Sequence, residues 1–96
     1  MSDNNKCYGF KEDVRKRLNR IEGQVKGIQR MIDEEKNCVD ILTQVAAVRS
    51  AINKVGGMVL EMYSSECMEN AVNSDDKEKV LNELMNAVQK FLKFVD

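Results

Sequence analysis

Three cysteines, Cys7, Cys38 and Cys67, are the strongest nucleophiles and the softest metal donors in this 96-residue chain, which contains no histidine. A thiolate attacks sulfur electrophiles and binds thiophilic metals, so either chemistry is open to these residues. The odd count argues against a structural disulfide framework, and the polar start Met1–Gly9 has no apolar signal-peptide core. The chain is therefore expected in the cytoplasm with reduced thiols. No apolar run approaches the roughly 18 residues that would suggest a membrane span, so no membrane is expected as a partner. With no histidine base, no nucleotide-binding loop and no metal motif, an enzyme is not expected either.

Basic residues are the second group with chemical potential. Residues 1–30 carry eight lysines and arginines against four acids, a balance of +4, while the whole chain is at −1. The remaining residues must therefore sum to −5. A basic first third suits an anionic partner such as nucleic acid or a membrane surface, and it also suits a merely solvated helix face.

The elements that carry these groups are helical. Proline is absent, charged residues make up 32% and aromatics 5%, which disfavours sheets. Phe10, Val14, Leu18, Ile21, Val25, Ile28 and Ile32 fall at steps of three and four, predicting a helix over about 8–34. Asn37 is a good N-cap for a second helix over about 37–70, with Asp40 in its first turn. That helix is apolar on most of its circumference and calls for neighbours on more than one side. Gly56-Gly57 lies inside it at a cost of roughly 1 kcal/mol per glycine, which close approach of another backbone would offset. Ser74 is a candidate N-cap for a third helix over about 75–95. Residues 1–8 are expected to be a mobile arm on a single domain, residues 9–96.

Helix length constrains the cysteines. Cys38 and Cys67 stand 29 positions apart on the second helix, which at 1.5 Å per residue is about 43 Å. One continuous helix cannot bring them together, but two copies packed antiparallel about a two-fold axis can. Cys38 then meets Cys67 of the partner subunit when paired positions sum to about 105, with the axis near Ile52 and Asn53. In that register Leu42 faces Tyr63, Val45 faces Leu60, and Arg49 lies near Gly56. A plainer reading keeps both cysteines as small buried hydrophobes.

The stretch from Arg17 to Ile32, RLNRIEGQVKGIQRMI, resembles the first-helix signature of the CsoR/RcnR family of bacterial repressors. The stretch from Cys38 to Ala51, CVDILTQVAAVRSA, resembles the second-helix signature, and Cys67 stands where the family has its second cysteine. The resemblance implies an all-α fold of three helices, an antiparallel dimeric bundle, and a flat dimer-of-dimers tetramer. It also implies binding of double-stranded operator DNA through a basic face, released when the sensor site is filled. The family's DNA-contacting positions fall on Arg17 and Lys54. Arg15, Lys16, Arg20 and Arg49 are charged neighbours that the residue pattern adds.

Among family members, the copper sensors complete a cysteine pair with a histidine. Here that position is Tyr63, four residues before Cys67, and tyrosine is a poor ligand for Cu(I). Asn37 replaces an aromatic that often precedes the first cysteine, and Glu83 matches an outer-shell glutamate. Nickel and cobalt sensors need histidines, and the formaldehyde sensors need an N-terminal proline. A cysteine pair without histidine resembles the persulfide-sensing CstR branch, whose inducer is a sulfane-sulfur species and which needs no cofactor. A Cu(I)-responsive repressor using Cys38 and Cys67 is the alternative. Cys38, in a first helical turn where the dipole favours an anion, is the expected attacking thiol, and Cys67 the resolving one. Tyr63 shapes the pocket, donates a hydrogen bond to a sulfur anion, or simply packs. Cys7 has no counterpart in the family pattern and is expected to be a bystander.

Overall fold

A computed structural model describes residues 9–72 and 75–93. The arm expected over 1–8, with Cys7, and the Ser74 cap lie outside them. Three α-helices account for nearly all described residues: α1 (Lys11–Asp33), α2 (Cys38–Val72) and α3 (Lys77–Lys93). The described residues divide into two compact units, 12–55 and 9–11 with 56–72 and 75–93, and α2 passes through both.

In the first unit, Glu12 and Asp13 in the first turn of α1 and Arg30 in its last complement the helix dipole. The helix begins at Lys11, after a turn at Gly9 and Phe10, three residues later than its apolar spacing predicts. It ends in a paired-bond cap. The Lys36 N–H donates to the Met31 carbonyl at 3.0 Å and the Glu35 N–H to that of Ile32 at 3.1 Å. Glu35 takes the left-handed conformation, φ 55°, that this cap requires and that glycine usually supplies. Asn37 then starts α2: its side-chain oxygen accepts from the Val39 N–H at 2.7 Å, and its carbonyl accepts from the Ile41 N–H at 3.1 Å. Ile21 and Val55 are the buried apolar residues of this unit.

In the second unit, the buried residues are Met62 and Cys67. The Phe10 N–H donates to Met62 Sδ at 3.3 Å, which ties the residues before α1 to the second half of α2. Asp76 caps α3: its carboxylate accepts from the Lys79 N–H at 3.1 Å. The Phe91 ring from α3 lies on the α2 backbone at Gly56, where a Cβ would stand 2.6 Å from Phe91 Cζ. The glycine pair therefore works differently from expectation. A ring, not a backbone, makes the close approach at Gly56, and nothing lies within 4 Å of a Cβ at Gly57. α2 runs two residues past its predicted end, because nothing in Ala71-Val72 stops a helix.

Candidate thiol sensor and nucleic-acid interface

The cysteines of α2 differ in environment. Cys38 is its first residue and is exposed, while Cys67 is buried near the other end. Asn37 fixes the turn that presents Cys38 through its cap on Val39. Neither cysteine is in a disulfide. Burial of Cys67 agrees with the plainer reading of a small hydrophobe, and exposure of Cys38 does not.

Around Cys67 the second unit assembles a small polar group. Tyr63 stands one helical turn before it. Its pKa is raised above the ordinary value, first by hydrogen bonding toward Cys67, then by burial of the half-covered ring, followed by negative charge on Cys67, Glu83 and Glu66. The phenol is thus held neutral. Tyr63 also lines an apolar groove of about 390 Å³ with Gly56, Val59, Leu60, Ala87 and Phe91. Of the expected pocket residues, Tyr63 comes into electrostatic range of Cys67 and Glu83 into that of Tyr63, whereas Asn37 belongs to the Cys38 end of α2. Glu66 was missed by sequence reasoning, although its place beside Cys67 was a legible signal.

Among the described residues, no group of three or more histidines, cysteines, aspartates and glutamates could hold a metal ion within one chain. Two thiolates from two subunits could still hold Cu(I) as a linear pair. The chain has no imidazole to complete a trigonal site.

The basic residues lie in the first unit. Arg15, Lys16, Arg17, Arg20, Arg49 and Lys54 are all exposed. Lys16, Arg17 and Arg20 line a shallow depression of about 180 Å³ with Asp13, and Arg17 Nε lies 3.3 Å from Asp13 Oδ1. The i, i+4 spacing of Asp13 and Arg17 is visible in the sequence, and the first cation expected to meet phosphate already has a carboxylate beside it.

No helix among the described residues is long and apolar enough to cross a membrane. Residues 10–90 match the family of metal-sensitive transcriptional repressors. The copper-sensing transcriptional repressor CsoR of Bacillus subtilis (strain 168) is 41% identical over 90 residues, covering 94% of this chain and 89% of that protein. Among solved structures, the nickel-responsive transcriptional regulator InrS matches with a TM-score of 0.77 at 36% identity, covering 83% of this chain and 90% of that one. The copper-sensing repressor CsoR with Cu(I) from Geobacillus thermodenitrificans NG80-2 matches with a TM-score of 0.75 at 40% identity, covering 84% of each. These relatives are named for metals and not for persulfide, so the comparisons support the family and not the CstR branch. A three-helix chain whose signatures, length and fold all match those repressors is no enzyme, and it belongs to the CsoR/RcnR family of metal-sensitive transcriptional repressors.

Proposed function

We propose that this chain is an operator-binding repressor whose signal is a sulfane-sulfur species acting on Cys38 and Cys67 of different subunits. The observation that carries the reading is the donor set: an exposed thiol, a buried thiol one helical turn from Tyr63, and no histidine in the chain. α2 is unbroken from Cys38 to Val72, so the length argument for a site between subunits keeps its premise. Leu42, Val45, Ile52 and Val59 are exposed on α2 at heptad-like spacing, which suits an antiparallel α2 pair with its axis near Ile52 and Asn53.

The chemistry balances without a metal. The Cys38 thiolate attacks the terminal sulfur of an organic persulfide, forming a cysteine persulfide and releasing the organic thiol. The Cys67 thiolate of the partner subunit attacks the Cys38 sulfur of that persulfide and expels hydrosulfide, leaving a disulfide between subunits. The two cysteines are oxidised, and the sulfane sulfur leaves reduced as hydrogen sulfide. A longer sulfur donor leaves a tri- or tetrasulfide instead.

The basic face of Arg15, Lys16, Arg17, Arg20, Arg49 and Lys54 supplies phosphate contacts in several copies per assembly. Affinity for the operator should fall steeply with salt, and Arg17→Ala and Lys54→Ala should each flatten that slope. Non-reducing mass spectrometry after treatment with an organic persulfide tests the sensor. The expected product is a Cys38–Cys67 crosslink accompanied by loss of operator binding. DNA release with no crosslink, or no release, refutes the sulfur reading.

A second reading is favoured by the relatives' printed activities: a Cu(I)-responsive repressor held by the same two thiolates. Competition against a strong Cu(I) chelator separates the two. Retention of copper with release of DNA, and no crosslink on persulfide treatment, selects copper.

A further inference from the structure

Acids surround both ends of α2. Beyond Lys54 the helix has no cation, and its charged residues are Glu61, Glu66 and Glu69. Glu66 adjoins Cys67 in sequence, and its charge, like that of Glu83 on α3, is felt at Tyr63. At the other end Glu35 and Asp40 flank Cys38, and both are exposed. The cation between them, Lys36, has its ammonium 3.7 Å from Glu34 Oε1.

In the antiparallel α2 register proposed above, Cys38 lies beside Cys67 of the partner subunit, so two acidic ends meet. Close to the paired thiols stand Glu35, Asp40, Glu66 of the partner subunit and Glu69 of the partner subunit, against Lys36. Farther off, the cations Lys26 and Arg30 late in α1 and Lys77 and Lys79 early in α3 are outnumbered by Asp33, Glu34, Asp75, Asp76, Glu78 and Glu83. The dipole at the start of α2 acts on the Cys38 sulfur over a single turn, whereas the carboxylates act on anything that approaches it. One charge about 10 Å away in water changes the local concentration of a monovalent ion about twofold, so each acid in excess of the cations separates a cationic from an anionic reactant by about fourfold.

We propose that the sensor selects its sulfur donor by charge: uncharged and cationic organic donors reach Cys38, and anionic ones such as free polysulfide are repelled. The inference rests on the sulfur reading and names the donor class within it. An organic persulfide is attacked in its protonated form and not as the anion.

Three symmetric organic trisulfides test the selection, carrying aminoethyl, hydroxyethyl or carboxymethyl groups, on the reduced full-length Cys7→Ser protein. Thiolate attack forms one S–S bond and breaks another. It leaves a mixed di- or trisulfide on Cys38 and releases an organic persulfide or thiol, so no further oxidant is needed. The readout is the initial rate of loss of free Cys38 thiol, by alkylation quench and peptide mass spectrometry, divided by the rate for N-acetylcysteinamide at the same pH. In low salt the cationic reagent should react at least about tenfold faster than the anionic one, with the neutral reagent between them. Added salt should slow the first, speed the second and leave the neutral reaction unchanged. Glu35→Gln/Glu69→Gln removes two exposed carboxylates and should lower the cation-to-anion ratio by at least about threefold. Equal normalised rates, the opposite salt dependence, a ratio that the double variant leaves unchanged, or no reaction at Cys38 overturns the proposal. The sulfur reading fails separately, when Cys38 reacts in this charge order but neither the crosslink to Cys67 nor release of operator DNA follows.

Discussion

Tyr63 stands one helical turn before Cys67 on α2, and the pair has a titration signature. The Tyr63 pKa is raised above its ordinary value, first by hydrogen bonding toward Cys67 and then by burial and nearby anions. Any stability the contact contributes is fully present below the unfolded tyrosine pKa and is lost as pH rises through the folded one. In a Tyr8→Phe background, phenolate absorbance should therefore report a single midpoint above the ordinary tyrosine value. Cys67→Ala should lower it, because the first cause and one of the charges disappear together. Asp13 makes a second residue-scale case. It holds Arg17 by an exposed i, i+4 pair, and such pairs contribute only about 0.3–0.5 kcal/mol, so phosphate can compete for the guanidinium. Asp13→Ala frees Arg17 and removes an anion from the basic face. It should tighten operator binding by about two- to fivefold in low salt, measured by fluorescence anisotropy, with the gain shrinking as salt rises.

At the scale of elements, steps of three and four between apolar residues were enough to locate all three helices, and Asn37 marked the start of α2 in both sequence and structure. The departures have local causes. At the start of α3, Asp76 offers the capping chemistry, and its carboxylate makes the bond to Lys79. The end of α1 was recognisable only as a charged break, because Glu35 gives no sign in the sequence that it will adopt a positive φ. The exposure of Cys38 and burial of Cys67 were equally hidden, since α2 is apolar on most sides and its pattern does not say which side is covered. The glycine pair was legible as a place of close approach, but not which glycine or by what. The Phe91 ring now separates them. Gly56→Ala must displace that ring and should destabilise the fold by about 1–3 kcal/mol, as overpacking does. Gly57→Ala meets nothing within 4 Å and should gain helix propensity, up to about 1 kcal/mol. Thermal melts of the two variants at equal concentration should therefore move in opposite directions.

For the whole molecule, the proposed sensor divided between subunits would make assembly and sensing one property. Each α2 carries one exposed thiol at its start and one buried thiol near its end. In the proposed pair the two sites are equivalent and depend on the same apolar contacts. Ile52, exposed on the subunit and next to the expected axis, would meet its own symmetry mate across that axis. Ile52→Glu sets two carboxylates against each other there, while touching neither cysteine nor any residue of the basic face. The expected outcome is a subunit of native helical content that no longer forms the α2 pair in sedimentation. Its Cys38 should still take up sulfur from an organic persulfide, because that thiol is exposed without a partner. The crosslink to Cys67 should be lost, leaving a persulfidated monomer mass, and operator affinity should fall by at least about tenfold as phosphate contacts per assembly decrease. An Ile52→Glu protein that still forms the crosslink would mean that the thiols meet by another route, and the antiparallel α2 register would have to be abandoned.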